Sequence, residues 1–215
     1  MPVSSPFRAY SRAEYVSDAV VHVAGLALAL MAVPALIVAA ALLRGDAPTL
    51  VGTTVYGVAL ILMLGCSALY NMIRRPDWSW LLQRLDHSAI YMKIAGTYTP
   101  FTLITGQGLA LTAGLWGAAL LGIVLKVTDP HRFRWAGLAL YLGMGWGGVV
   151  AGGALLAALP VPVVVLMGVG GGLYTLGVVF YLWERLPFHT TIWHVFVLAA
   201  SAVFFAAVAV LLASG

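Results

Sequence analysis

The chain has 215 residues, of which 62% are hydrophobic and 8% charged, with a formal net charge of +4 and a mean hydropathy of +1.01. Soluble domains carry roughly 45–50% apolar and about 25% charged residues, so a water-soluble enzyme, a disulfide scaffold and a disordered chain are excluded together. The single cysteine, Cys66, cannot form an intrachain disulfide, and the modest net charge implies no nucleic-acid partner.

Residues 1–18 carry Arg8, Arg12, Glu14 and Asp18 and read as a short cytoplasmic N-terminal segment. The apolar run behind them is long enough to span a bilayer, so it reads as a retained helix rather than a cleaved signal peptide. Residues 19–215 then form one all-α domain, a seven-transmembrane helix bundle. Its spans are Ala19–Leu43, Thr49–Ile73, Asp86–Thr105, Leu109–Val127, Phe133–Leu156, Val161–Trp183 and His189–Ala213. Each is close to the 20 or so residues that cross a hydrocarbon core. The third and fourth are separated by only Gly106-Gln107-Gly108, and Pro100 is expected to bend the third.

Lysine and arginine set the orientation. With the N-terminus inside, the inner segments hold Arg8, Arg12, Arg74, Arg75, Arg84, Lys126, Arg132, Arg134 and Arg185, whereas the outer ones hold only Arg44. The expected topology is N-terminus cytoplasmic and C-terminus outside. Pairs of small residues, Gly143/Gly147, Gly148/Gly152 and Gly168/Gly172, suit close helix packing within the bundle or across a dimer. The oligomeric state stays open.

Polar residues inside a bilayer are costly and mark function by default. In this topology Asp18 and His22 open span one, Ser67, Tyr70 and Asn71 close span two, Asp86 and His87 open span three, and His189, Trp193 and His194 open span seven. All meet at the cytoplasmic leaflet, which implies a cytoplasm-facing pocket between these four helices. Asp18 and His22 share a helical face and serve either as a structural pair or as ligands. His189 and His194 are five apart, so they face one metal only if the first turn is distorted. Lys93, two turns beyond Asp86, either snorkels back toward the cytoplasm or pairs with Asp86. His87 and His131 border loops and read as interfacial residues.

SRAEYVSDAVVHVAG, SALYN, LDHSAIYMKIAGTYTPF, GGGLYTLGVVFY and TIWHVFVLAAS resemble the hemolysin III family of membrane proteins. That family is related to the adiponectin and progestin receptors and, more distantly, to alkaline ceramidases. The resemblance implies seven helices and a zinc site near the cytoplasmic end, held in the related receptors by one histidine of span two and two of span seven. By position it assigns Ser67 and Asp86 beside the metal, in catalytic roles, and His194 as a ligand. Asn71 stands where the span-two motif has histidine, and Thr190 where the span-seven motif has another, with His189 one residue early. A neutral amide is a poor zinc ligand, which leaves His194 and His189, with Asp86 if it moves in.

Three functions follow as expectations. The first is membrane homeostasis or sensing in the bacterial inner membrane with a lipid or lipid-like ligand, although the family name itself implies cytolysis. The second is a zinc-dependent lipid amide or ester hydrolase, and the third a transporter.

Overall fold

The computed structural model describes residues 11–73, 75–130 and 132–214. Arg8, Arg74 and His131 lie outside the described residues. The described residues form eight helices: α1 (Arg12–Leu43), α2 (Ala47–Met72), α3 (Pro76–Thr105), α4 (Leu109–Thr128), α5 (Arg134–Ala151), α6 (Gly153–Ala158), α7 (Val161–Leu182) and α8 (His189–Ala213). Five of them, α1, α2, α4, α7 and α8, are long and apolar enough to cross a membrane. Their outward-facing side chains are apolar too, with Met31, Leu42, Leu120 and Val161 all largely exposed. A soluble protein rarely shows so much contiguous apolar surface.

Local chemistry sets the ends. Ser11 and Glu14 form a reciprocal capping box that starts α1 at Arg12, seven residues ahead of the expected span. Asp46 caps α2, whose first turn also carries a proline. Gly106 and Gly108 both take left-handed backbone angles, φ 67° and 74°, and make the tight turn between α3 and α4. The expected fifth span is not continuous: it breaks at Gly152, between α5 and α6. Its apolar composition hides the break, which falls where a Cβ at position 152 would run into the Gly148 carbonyl.

The central helix is α3, which packs on α2, α4, α5, α6 and α8. Residues 95–102 are buried without interruption, although three of them are threonines. Their hydroxyls are satisfied within the helix: Thr99 donates to the Ala95 carbonyl at 2.9 Å and Thr102 to the Thr99 carbonyl at 3.2 Å. Thr97 does the same with Lys93 at 2.7 Å. This is how a helix of low hydropathy is tolerated in an apolar interior. The helix runs through Pro100 unbroken. Tyr98 reaches α5, donating to the Gly145 carbonyl at 2.7 Å, and only a glycine at position 148 leaves room for its ring. By contrast Gly143, Gly168 and Gly172 meet nothing within 4 Å.

The first and last helices close the bundle. At one end Glu14 Oε1 accepts from the Phe188 N–H at 2.9 Å and Ser17 Oγ lies 3.1 Å from Thr191 Oγ1. At the other end Arg44 donates to the carbonyls of Leu211 and Leu212 at 2.8 and 3.2 Å. A cation on the last carbonyls of α8 also complements that helix's dipole. Opposite Arg44, Arg84 Nε bonds the Val127 carbonyl at 2.9 Å and Arg134 pairs with Glu184 at 2.6 Å, so these basic side chains gather at the end where α1 begins.

Candidate functional site

The α1–α8 seam builds the site. Asp18 and His22, one turn apart on the buried face of α1, are brought against His194 of α8. Asp18 Oδ1 lies 2.6 Å from His194 Nδ1, and Oδ2 lies 3.5 Å from His22 Nε2. The two imidazole centroids are 4.3 Å apart at 57°. One ligand atom from each of the three residues falls within 4.8 Å of the others.

The seam imposes a strained start on α8. Phe188 adopts φ 60°, the single non-glycine residue with positive φ among those described, a conformation that costs an L-residue roughly 1–2 kcal/mol. The Glu14 carboxylate holds its N–H there.

From the other side come Ser67 of α2 and Asp86 of α3. Both are buried; Ser67 faces the Asp86 carboxylate, which feels His194, His22 and Asp18 electrostatically. Ser67, Asp86 and His194 line one end of a cavity of about 560 Å³. A second hollow of about 450 Å³, lined by Asp18, Arg75 and Ser79, opens beside it. Tyr70, Asn71 and Thr190 line both.

Several expectations change. His189 does not join His194: its Nε2 lies 3.4 Å from the neighbouring Thr190 hydroxyl and its Nδ1 is buried without a hydrogen bond. A regular α8 from its first residue keeps the two histidines on different faces, and His22 with Asp18 takes that place. Asn71 turns back on its own helix, donating to the Ser67 carbonyl at 2.9 Å. Tyr70 accepts from Gln83 at 3.3 Å, and Trp193 is packed between Tyr141 and Tyr181.

Lys93 neither snorkels nor pairs with Asp86. Its Nζ stands 4.6 Å from the Tyr174 ring centre and 4.9 Å from that of Phe204, a cation–π arrangement. Phe204 is ten residues farther along α8 than His194, about 15 Å at 1.5 Å per residue. The ammonium therefore lies deep in the cavity, away from the Asp18 end.

Sequence reasoning missed Glu14, although the Ser11…Glu14 spacing of a capping box announces it. It also missed Tyr141 and Tyr174, whose hydroxyl-bearing rings in glycine-rich helices give no signal until the helices are packed.

The model of the family described as Haemolysin-III related matches residues 11–205. The chain belongs to that family. It is 42% identical over 197 residues to Hemolysin-3 of Bacillus cereus, covering 89% of each chain. It is 40% identical over 195 residues to a Hemolysin-3 homolog of Bacillus subtilis (strain 168), covering 89% of this chain and 91% of that one.

The donor set of this cluster suits zinc: two imidazoles and a carboxylate are ligand types of catalytic zinc sites. His22 Nε2 is buried with no hydrogen-bond partner, an orphan that a metal would satisfy.

Proposed function

We propose that this protein resides in the bacterial plasma membrane and acts in membrane homeostasis, binding a lipid in the cavity beside a zinc ion held by Asp18, His22 and His194. The observation that carries this reading is the triad: α1 supplies two donors next to His194, where Asn71 and Thr190 cannot. The chain crosses the membrane seven times, with α3 and the α5–α6 pair added to the five apolar helices, and its N-terminus is cytoplasmic. The basic side chains gathered at the end where α1 begins support that orientation.

When bound, zinc supplies a Lewis acid that polarises a carbonyl and makes water more acidic. The protein contributes the rest. Asp18, His22 and His194 would hold the ion, the Ser67 hydroxyl orients the Asp86 carboxylate, and the buried helices keep bulk water away.

A second reading, lipid amide or ester hydrolysis, is favoured by Asp86, a carboxylate on the cavity wall beside Ser67. It is placed to accept a proton from attacking water.

Metal content of the purified protein tests the first reading. Wild type should carry one zinc per chain, and His194→Ala and His22→Ala none; zinc-free wild type, or zinc retained in both variants, would refute it. Fatty-acid release from lipid amides and esters by the same samples separates the two readings. Turnover lost in Asp86→Asn with zinc still bound supports hydrolysis, whereas no turnover by zinc-loaded wild type removes it.

A further inference from the structure

Lys93 is the most unusual charged group in the molecule. It is 4% exposed, makes no ion pair or hydrogen bond through its ammonium among the described residues, and faces the cavity between two aromatic rings. Tyr141 is comparable. Its hydroxyl is buried without a partner, it lines the same cavity, and its ring meets Tyr174 edge-on at 6.4 Å. So one cation and one hydroxyl donor flank the Tyr174 ring, and neither has an ionic or hydrogen-bonding partner among the described residues. The Tyr174 hydroxyl itself is engaged, 2.9 Å from Ser201 Oγ.

A buried charge with no counter-ion is costly, and inside a bilayer it marks a ligand or ion pathway. The missing partner is an anion. We infer that the deep end of the cavity binds the carboxylate of a long-chain fatty acid, with Lys93 as its counter-ion and Tyr141 as a hydrogen-bond donor.

The surroundings select this class. The remaining walls are largely apolar, including Met63, Ile94, Leu142 and Val197, so a small hydrated anion would lose its water without gaining enough donors. A phosphate headgroup would need more than one cation. The other basic residues on the cavity, Arg134 and Lys126, belong to its opposite end, and Arg134 is already paired with Glu184 at 2.6 Å. A single ammonium with one hydroxyl suits a monoanion, and a cavity of about 560 Å³ lies within the usual range for small-molecule sites. Trp146 and Thr175, joined by a 3.1 Å hydrogen bond on the outer face of α5 and α7, also line the cavity, which puts part of its wall against the lipid.

This assignment rests on the lipid-cavity reading but not on zinc, and the test keeps the two apart. Full-length protein is purified in detergent and stripped with chelator, so that no metal can hold a carboxylate. Binding of labelled hexadecanoate is then measured against hexadecan-1-ol, which has the same chain without the charge. Wild type should prefer the acid by about tenfold or more, the scale of one charge-assisted hydrogen bond.

Lys93→Met, which fills the space without a charge, should abolish that preference and leave alcohol binding unchanged; Lys93→Arg should keep most of it. Tyr141→Phe should weaken acid binding alone, by roughly fivefold. Equal affinity for acid and alcohol in wild type, or an unaltered preference in Lys93→Met, would overturn the assignment. Displacement of the acid by inorganic phosphate would also overturn it, by placing the site in another ligand class. Should the stripped protein show the acid preference while metal analysis finds no zinc in native material, the metal reading fails and this one stands. Should zinc be present and the preference absent, the reverse holds.

Discussion

Replacing Glu14 by alanine tests whether the α1–α8 seam sets the site. Its carboxylate, 3% exposed, accepts from the Ser11 N–H at 2.8 Å and from the Phe188 N–H at 2.9 Å. Each backbone bond to a charged acceptor contributes about 1.5–3 kcal/mol. Ser11 is half-buried and Phe188 is exposed, and the strain at Phe188 offsets part of what its bond contributes, so both bonds sit at the lower part of that range. The expected loss is therefore about 3 kcal/mol, more than a hundredfold in the folding equilibrium. Glu14→Gln, which keeps one acceptor oxygen, should lose about half.

The damage should be local before it is global. Hydrogen exchange should speed up first at residues 186–195, and the zinc affinity of the triad should fall as His194 drifts from Asp18. Thermal unfolding in detergent and exchange mass spectrometry read both effects. Unchanged exchange over 186–195 in Glu14→Ala, with stability within about 0.5 kcal/mol of wild type, would refute the reasoning.

Other predictions are simpler to state. Zinc at a hundred times its dissociation constant should stabilise wild type by about 2.7 kcal/mol; Asp18→Ala should lose most of this shift in a thermal melt, and an equal shift in both would count against the triad. Gly148→Ala should destabilise by about 1–3 kcal/mol through overpacking, since its Cβ would lie 2.5 Å from the Tyr98 ring and 2.8 Å from its hydroxyl; an unchanged melting temperature would show that Tyr98 moves freely. Asp46 is held below its ordinary value of 3.8 by the backbone and side-chain hydrogen bonds from Thr49. A lowered pKa means that the cap stabilises α2 above the unfolded value and loses this effect as pH falls through the folded one. Wild type and Asp46→Ala should therefore converge in stability in acid, and a difference that persists below that range would contradict the sign.

Much of the architecture was legible because bilayer-scale apolar runs and charge-bearing gaps are local signals. The last helix runs from His189 to Ala213 as the sequence implies, and the Gly106-Gln107-Gly108 turn is where the glycines place it. The convergence of Asp18, Ser67, Asp86 and His194 at one end followed from depth alone, since residues near alternate helix ends share a leaflet. What depth cannot supply is rotation about each helix axis. That is why the spacing left His189 open as a companion of His194, where the structure puts His22, and left Lys93 open between snorkelling and pairing with Asp86. Rotation is fixed by long-range contacts, such as Glu14 on Phe188, which no spacing along the chain reveals. The break at Gly152 escaped for a different reason, because hydropathy does not register a change in backbone angle.

Asp18 and His194 are 176 residues apart in the chain, one in α1 and the other in α8. During insertion α1 must therefore wait in the bilayer with a carboxylate and an imidazole unmatched until α8 arrives. A chain that stops short of α8 leaves Asp18 without His194. The docking of α8 on α1 and the assembly of the Asp18, His22 and His194 cluster are thus one event.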